Sequence, residues 1–337
     1  MPHWFSFHFQ DFAFSFLSLL LEGVPFVLLG SLISGFVDVF VSSERITRML
    51  PRNPSVAIIV SGLLGFVLPM CECGSVIIIR RFIRKGLPVG CAVTYMLAAP
   101  IVSPIVALST YAAFKGQNPE LMTALRLGLG LAIAVFVGFL VRGLPRQTIL
   151  QPALLGEAAH SRTGLSVAAV PGVQEFSAAA ERASFGRKIL LAIQSATADL
   201  LDVTFFLIVG AALASVFNTA VNQEVILPWA GNPPVAVAAM MVLAAALALC
   251  STTDAFIAAS FTSFAFAPKL AFLVFGPMFD VKLFWLYGLV FKRRMVLLLA
   301  LGLFVVIWLI CWQLSGLNLE NLPVLPQPPV ATPPAVP

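Results

Sequence analysis

A chain of 337 residues that is 60% hydrophobic and 10% charged, with a mean hydropathy of +0.99, is no soluble globular domain, in which about a quarter of residues carry charge. Its net charge of +5 comes from Lys and Arg gathered at the ends of apolar segments, with no basic face; this excludes a nucleic-acid partner and speaks of orientation in a bilayer. Five cysteines, an odd number set in apolar runs, exclude a disulfide framework and read as free thiols.

Residues 1–10 hold His3 and His8 but no Lys or Arg, and the apolar run after them is too long for a signal-peptide core, so the first segment is expected to stay as an anchor. The stretches that read as membrane helices are 12–40, 56–70, 87–114, 121–141, 189–217, 235–249, 270–291 and 295–312. A spanning helix needs roughly 17–25 residues. Stretches 56–70 and 235–249 fall short, and each runs into a polar island: Pro69-Met70-Cys71-Glu72-Cys73-Gly74-Ser75 in the first half, Cys250-Ser251-Thr252-Thr253-Asp254 in the second. Residues 143–186, rich in Ala, Ser, Gly and Arg without a sustained apolar period, read as a cytoplasmic linker between membrane repeats at 1–142 and 187–314. The Pro-rich residues 315–337 read as a disordered tail.

Sliding the chain by about 180 residues exposes an internal repeat. Glu22, Phe26 and Gly30 fall on Asp202, Phe206 and Gly210; Asn53-Pro54 falls on Asn232-Pro233, Cys71 on Cys250, Pro88 on Pro268, and Pro100 on Pro277 after a short gap. Charge then separates two topologies. Eight plain spans would put Arg45, Arg48 and Arg52 on the opposite side from Arg80, Arg81, Arg84 and Lys85, against the positive-inside rule. If 56–84 is instead a re-entrant hairpin, both clusters are cytoplasmic, together with Arg142, Arg146, Arg187, Lys188, Lys292, Arg293 and Arg294. The second hairpin, 235–261, then enters from the other face. The expected fold is an all-α helical bundle of two inverted repeats, each with three spans and a hairpin, a recurring transporter design.

Broken backbone and polar side chains inside a membrane face protein or a water-filled cavity, which makes the islands candidates for a solute site. Cys71 and Cys73 flank Glu72, Gly74 allows the turn, and Cys250 comes from the equivalent tip. Three thiols favour a soft metalloid over a hard cation, whereas Cys91 and Cys311 read as small core residues. Each of Glu72, Asp254 and Asp280 must be neutral, paired or wet, which suits proton coupling; a static pair of Asp280 with Lys282 is the alternative. Glu22 and Asp202 are candidates for a proton relay or for a plain interhelical hydrogen bond. Pro100 and Pro104, flanking Ser103, and Gly276-Pro277 are expected to unwind their helices and free carbonyls for the site. No Walker motif, His-rich metal cage or nucleophile elbow is present, so no cofactor or resident metal is expected and the chain does not read as an ATPase. A membrane thiol oxidoreductase using Cys71 and Cys73 is a reading of another class, on a Cys-x-Cys spacing weaker than Cys-x-x-Cys, and a membrane subunit driven by a partner ATPase is a third.

The run Pro69 to Gly74, then Arg80-Arg81 to Lys85-Gly86-Leu87-Pro88, Ala99-Pro100 through Pro104 and Ser109-Thr110-Tyr111, resembles the bacterial predicted permeases typified by the organoarsenical efflux permease. Cys250 to Phe256 and Phe275-Gly276-Pro277-Met278-Phe279-Asp280-Val281-Lys282 match as well. The resemblance implies a multi-pass inner-membrane permease, in some members exporting trivalent organoarsenicals, with the bilayer and a small-molecule or metalloid substrate as partners and homo-oligomers compatible. Two positions depart from the pattern: Ile77 stands where a proline is expected and Ser103 where an asparagine is expected.

Overall fold

The structure, a computed structural model, describes residues 9–40, 51, 53–68, 70–152, 185–220 and 231–316. Most of the linker, all of the tail beyond 316 and Pro69 lie outside the described residues. Among those described the chain is helical, with one isolated antiparallel bridge between Leu150 and Phe291.

In the first half α1 is Phe9–Phe40, α2 Pro54–Val67, α3 Glu72–Arg84, α4 Val89–Ala98, α5 Pro104–Ala113 and α6 Pro119–Arg142; a single turn, α7, follows at Arg146–Ile149. In the second half α8 is Phe185–Ala220, α9 Pro233–Leu247, α10 Thr253–Ser260, α11 Phe266–Met278, α12 Val281–Tyr287 and α13 Arg293–Ser315. Each half thus orders one long helix, four short ones and another long one. Among the described residues five segments are long and apolar enough to cross a membrane, four of them stretches of 23 residues or more within single helices and one the broken pair α11–α12.

Local chemistry sets the boundaries. Pro54 and Pro233 take the first turn of α2 and α9, where a missing N–H costs nothing and the fixed φ suits a helix. Ala99 to Ser103 break the third stretch between two prolines as expected, and Pro104 restarts it as α5. The second break falls later than expected: Pro277 is still inside α11, and the chain leaves the helix at Phe279 and Asp280. A proline disturbs the turn before it, but the Phe279 N–H still reaches the Phe275 carbonyl at 2.9 Å, and Asp280 caps the next helix.

Close contacts fix the directions. Gly90 packs on Gly138 and Arg142, Gly130 on Ile101, and Thr110 meets Arg126, so α4 and α5 run end to end antiparallel to α6. Gly62 lies against Thr94 and Gly65 against Ala99, so α2 runs beside α4 in the same direction. At one end of the bundle Arg81 donates to the Ser195 carbonyl, and Lys292 donates to the Gln147 carbonyl, gathering the basic residues of α3, α6, α8 and α13. At the other, Gln117 donates to the Ala259 carbonyl and accepts from Lys269, while Trp308 donates to the Pro234 carbonyl. On α13 the buried stripe is Val296, Leu299, Leu303, Ile307 and Cys311, a helical period, while Leu297, Leu298 and Leu301 are exposed. An apolar perimeter of this kind is what a bilayer wets.

Candidate functional site

Four of the short helices start in the interior, and three carry an acid at that start: Glu72 in the first turn of α3, Asp254 in that of α10 and Asp280 as the cap of α12. Unpaired N–H groups and the positive end of the helix dipole stabilise a carboxylate there. Asp280 accepts the Leu283 N–H at 2.6 Å, and the Cys71 thiol caps α3 by accepting the Gly74 N–H at 3.3 Å. All three acids are buried, so each needs a counter-charge.

Two basic residues supply it. Lys282 donates to Glu72 Oε1 at 2.8 Å and to the Ala248 carbonyl at 3.0 Å, and lies 3.5 Å from Asp280 Oδ2. This single ammonium serves two carboxylates, leaving Glu72 Oε2 and Asp280 Oδ2 without a hydrogen-bond partner. Arg126 of α6 contacts both oxygens of Asp254, at 2.9 and 2.8 Å, and donates to the Thr110 hydroxyl and the Ser251 carbonyl, both at 2.8 Å.

Cys71, Glu72, Cys73, Cys250 and Lys282 line one cavity, closed on its other side by Leu19 and Gly23 of α1 and Leu207 and Ala211 of α8. Its volume is about 20 Å³, room for about one water molecule. The sequence-derived candidates therefore divide. Both island tips reach the cavity through their cysteines, and Asp280 joins them through Lys282. Asp254 and Ser251 face Arg126 instead, and the Thr252 hydroxyl rests 3.8 Å from the Cys250 thiol. Gly74 packs on α1 and Thr253 opens α10. Pro100, Ser103, Pro104, Gly276 and Pro277 shape the two breaks without lining the cavity. The side chains of Glu22 and Asp202 lie outside the described residues. None of the five cysteines is in a disulfide, and Cys91 and Cys311 are buried in helix packing. Among the described residues no three His, Cys, Asp or Glu side chains approach closely enough to hold a metal ion.

Sequence reasoning passed over Arg126 and tied Lys282 to Asp280 alone. The signal for Arg126 was present: it is the one charge inside the apolar stretch 121–141, on the helical stripe of Met122, Gly130, Ile133 and Val137.

A helical bundle with a lipid-wetted perimeter and ionised groups closed inside it is a multi-pass inner-membrane protein. The chain belongs to the ArsP_1 family, described as predicted permease, whose profile matches residues 8–314. It is 35% identical over 294 residues to the UPF0718 protein YcgR of Bacillus subtilis strain 168, covering 87% of this chain and 92% of that protein. It is 32% identical over 287 residues to the putative two-component membrane permease complex subunit of Streptococcus mutans serotype c, covering 84% and 87% respectively. No solved structure matches.

Proposed function

We propose that the chain is a secondary permease for a small soft solute, with trivalent organoarsenicals as the first class to test and Cys71, Cys73 and Cys250 as its thiol ligands. One observation carries this reading: a single interior cavity draws Cys71, Glu72 and Cys73 from the first half and Cys250 and Lys282 from the second. Soft sulfur donors select a thiophile. Two carboxylates sharing one ammonium leave a place for one exchangeable proton, so Glu72 and Asp280 are the coupling groups and Asp254 is held as a structural partner of Arg126.

The halves are inverted repeats and the islands are tips of re-entrant hairpins. The supporting contacts are these: α2 enters beside α4 from the basic end, and α3 returns to that end at Arg81, eight residues before α4 begins. From the other end, α9 enters beside Trp308 and α10 returns to Gln117. By the positive-inside rule the basic end is cytoplasmic.

Everted membrane vesicles test the reading. Energised vesicles carrying the native chain accumulate trivalent methylarsenite, and Cys71→Ser and Glu72→Gln each lower the initial rate about tenfold, a barrier change of about 1.4 kcal/mol. Equal accumulation by native, variant and empty vesicles would discard the arsenical substrate.

The name of the streptococcal relative favours a second arrangement, in which this chain is one subunit of a two-component permease. Affinity purification of the tagged chain from its own membranes decides it: a stoichiometric second protein supports the complex, and the chain alone retaining full transport removes it.

A further inference from the structure

Within each half the first long helix has two short helices to lie against, the one after the island and the one after the proline break. The halves make opposite choices. In the first, α1 lies on α3, so close that a Cβ on Gly30 would stand 3.0 Å from the Gly74 Cα. In the second, α8 lies on α12, where a Cβ on Gly210 would stand 2.7 Å from the Lys282 Cα. Gly30 and Gly210 are equivalent positions of the sequence repeat. In the register that sets Cys71 on Cys250, Gly74 falls on Thr253; in the register that sets Pro100 on Pro277, Lys282 falls on Ile105. Among the described residues, α1 makes no comparable packing on α5, nor α8 on α10.

Burial follows the same division. Helix α3 is buried through Ile77, Ile78, Ile79 and Ile83, and α12 through Leu283 and Leu286. On their uncovered counterparts Ile105 is 58% exposed, Leu108 76% and Phe256 54%. Equivalent helices thus differ in burial because α1 and α8 cover only one pair of them. These two long helices pack antiparallel, from Gly23 against Leu207 to Gly35 against Ala192, and form one unit.

We infer that the α1–α8 pair is the moving element of the permease, and that the chain has a second state in which the halves exchange conformations: α1 lies on α5, with Gly30 at Ile105, and α8 lies on α10, with Gly210 at Thr253. This rests on the permease reading, and it gives that reading its gate. In the proposed mechanism the close contacts at Gly74 and Lys282 are the ones that shut the cavity toward the end where the basic residues gather. The cavity holds about one water because Leu19, Gly23, Leu207 and Ala211 of the pair form its wall; moving the pair both enlarges it and changes the side from which it is reached. Glycine at 30 and 210 admits close approach in either state.

Photo-crosslinking of the full-length chain in its native membranes tests the exchange without any solute, so its failure is separate from failure of methylarsenite uptake. A benzophenone amino acid is placed at Ile105, an exposed position on a helix that α1 does not now pack along, and adducts are mapped by mass spectrometry. The expected result is adducts on α1 near Gly30 in the native background. Their yield rises about tenfold when Gly74→Val crowds the α1–α3 contact, within the range that overpacking produces. If Gly74→Val does not accumulate, Gly74→Ala is the milder form, with a smaller rise in the same direction. Adducts confined to lipid and to helices already beside α5, in native and variant chains alike, would overturn the proposal.

Discussion

The two interior ion clusters solve the same problem to different degrees. Arg126 meets Asp254 at both oxygens and donates to Thr110 and the Ser251 carbonyl, with only its Nε left without a hydrogen-bond partner, so one positive charge answers one negative charge inside packed protein. Lys282 answers both Glu72 and Asp280, leaves one oxygen of each without a hydrogen bond, and borders a cavity. A network with charges paired one to one fixes three helices against one another. An open network, in which two carboxylates share one ammonium beside a cavity, has acceptors left unfilled, and under the proposed permease reading these are the groups a solute or proton would engage.

Removing charge from each cluster separates these roles. The largest effect is expected for Arg126→Leu, which strands a buried carboxylate: about 3–5 kcal/mol of stability is lost. Thermal unfolding of the purified chain in detergent reads it. Adding Asp254→Leu to Arg126→Leu recovers most of the loss, since an apolar pair of similar volume replaces the ion pair at little cost. A single variant as stable as the native chain would break the comparison. Glu72→Gln is expected to act on the other axis. The amide oxygen still accepts from Lys282, so stability falls by less than about 1.5 kcal/mol, while solute flux falls about tenfold. Loss of folding in Glu72→Gln equal to that in Arg126→Leu would make both clusters structural.

Much of this was legible beforehand, and the gaps have physical causes. The apolar stretches, the polar islands and the first proline break follow from local rules, because hydropathy and helix-breaking act over a few residues. The proposed repeat sets Cys71 on Cys250, and both border one cavity with Glu72 and Cys73. What escaped was pairing at a distance: Lys282 and Glu72 are separated by 210 residues and Arg126 and Asp254 by 128, and no local pattern records which base meets which acid. Asp254 therefore seemed to belong to the cavity by its place in the island, though its side chain points toward α6. The second break moved from Gly276-Pro277 to Phe279-Asp280 because a cap at Asp280 offers the new helix a start, which a proline alone does not.

A smaller effect sharpens the same contrast. Tyr287 donates to the Met278 carbonyl at 2.8 Å across the α11–α12 break, beside the Lys282 cluster. Tyr287→Phe removes that donor and leaves a buried carbonyl unsatisfied, for an expected loss of about 1 kcal/mol in thermal unfolding. A loss as large as that of Arg126→Leu would show the break itself to be a rigid joint, bringing the Lys282 cluster closer to the Arg126 cluster in kind.

The smallest effect sets the baseline for both clusters. Leu298 and Leu299 are neighbours on α13, yet Leu298 is 65% exposed and Leu299 7%. In a bilayer Leu298 trades one apolar neighbour for another, lipid for the denatured chain's lipid, and no hydrophobic driving force acts on it. Leu298→Ala is therefore expected to change stability by less than about 0.5 kcal/mol, whereas Leu299→Ala empties a packed site and costs about 2–5 kcal/mol. Unfolding measurements on the two variants, side by side, check this. Equal costs would mean that the face bearing Leu298 is covered by protein in the membrane, and the perimeter assigned to lipid would have to be redrawn around a partner.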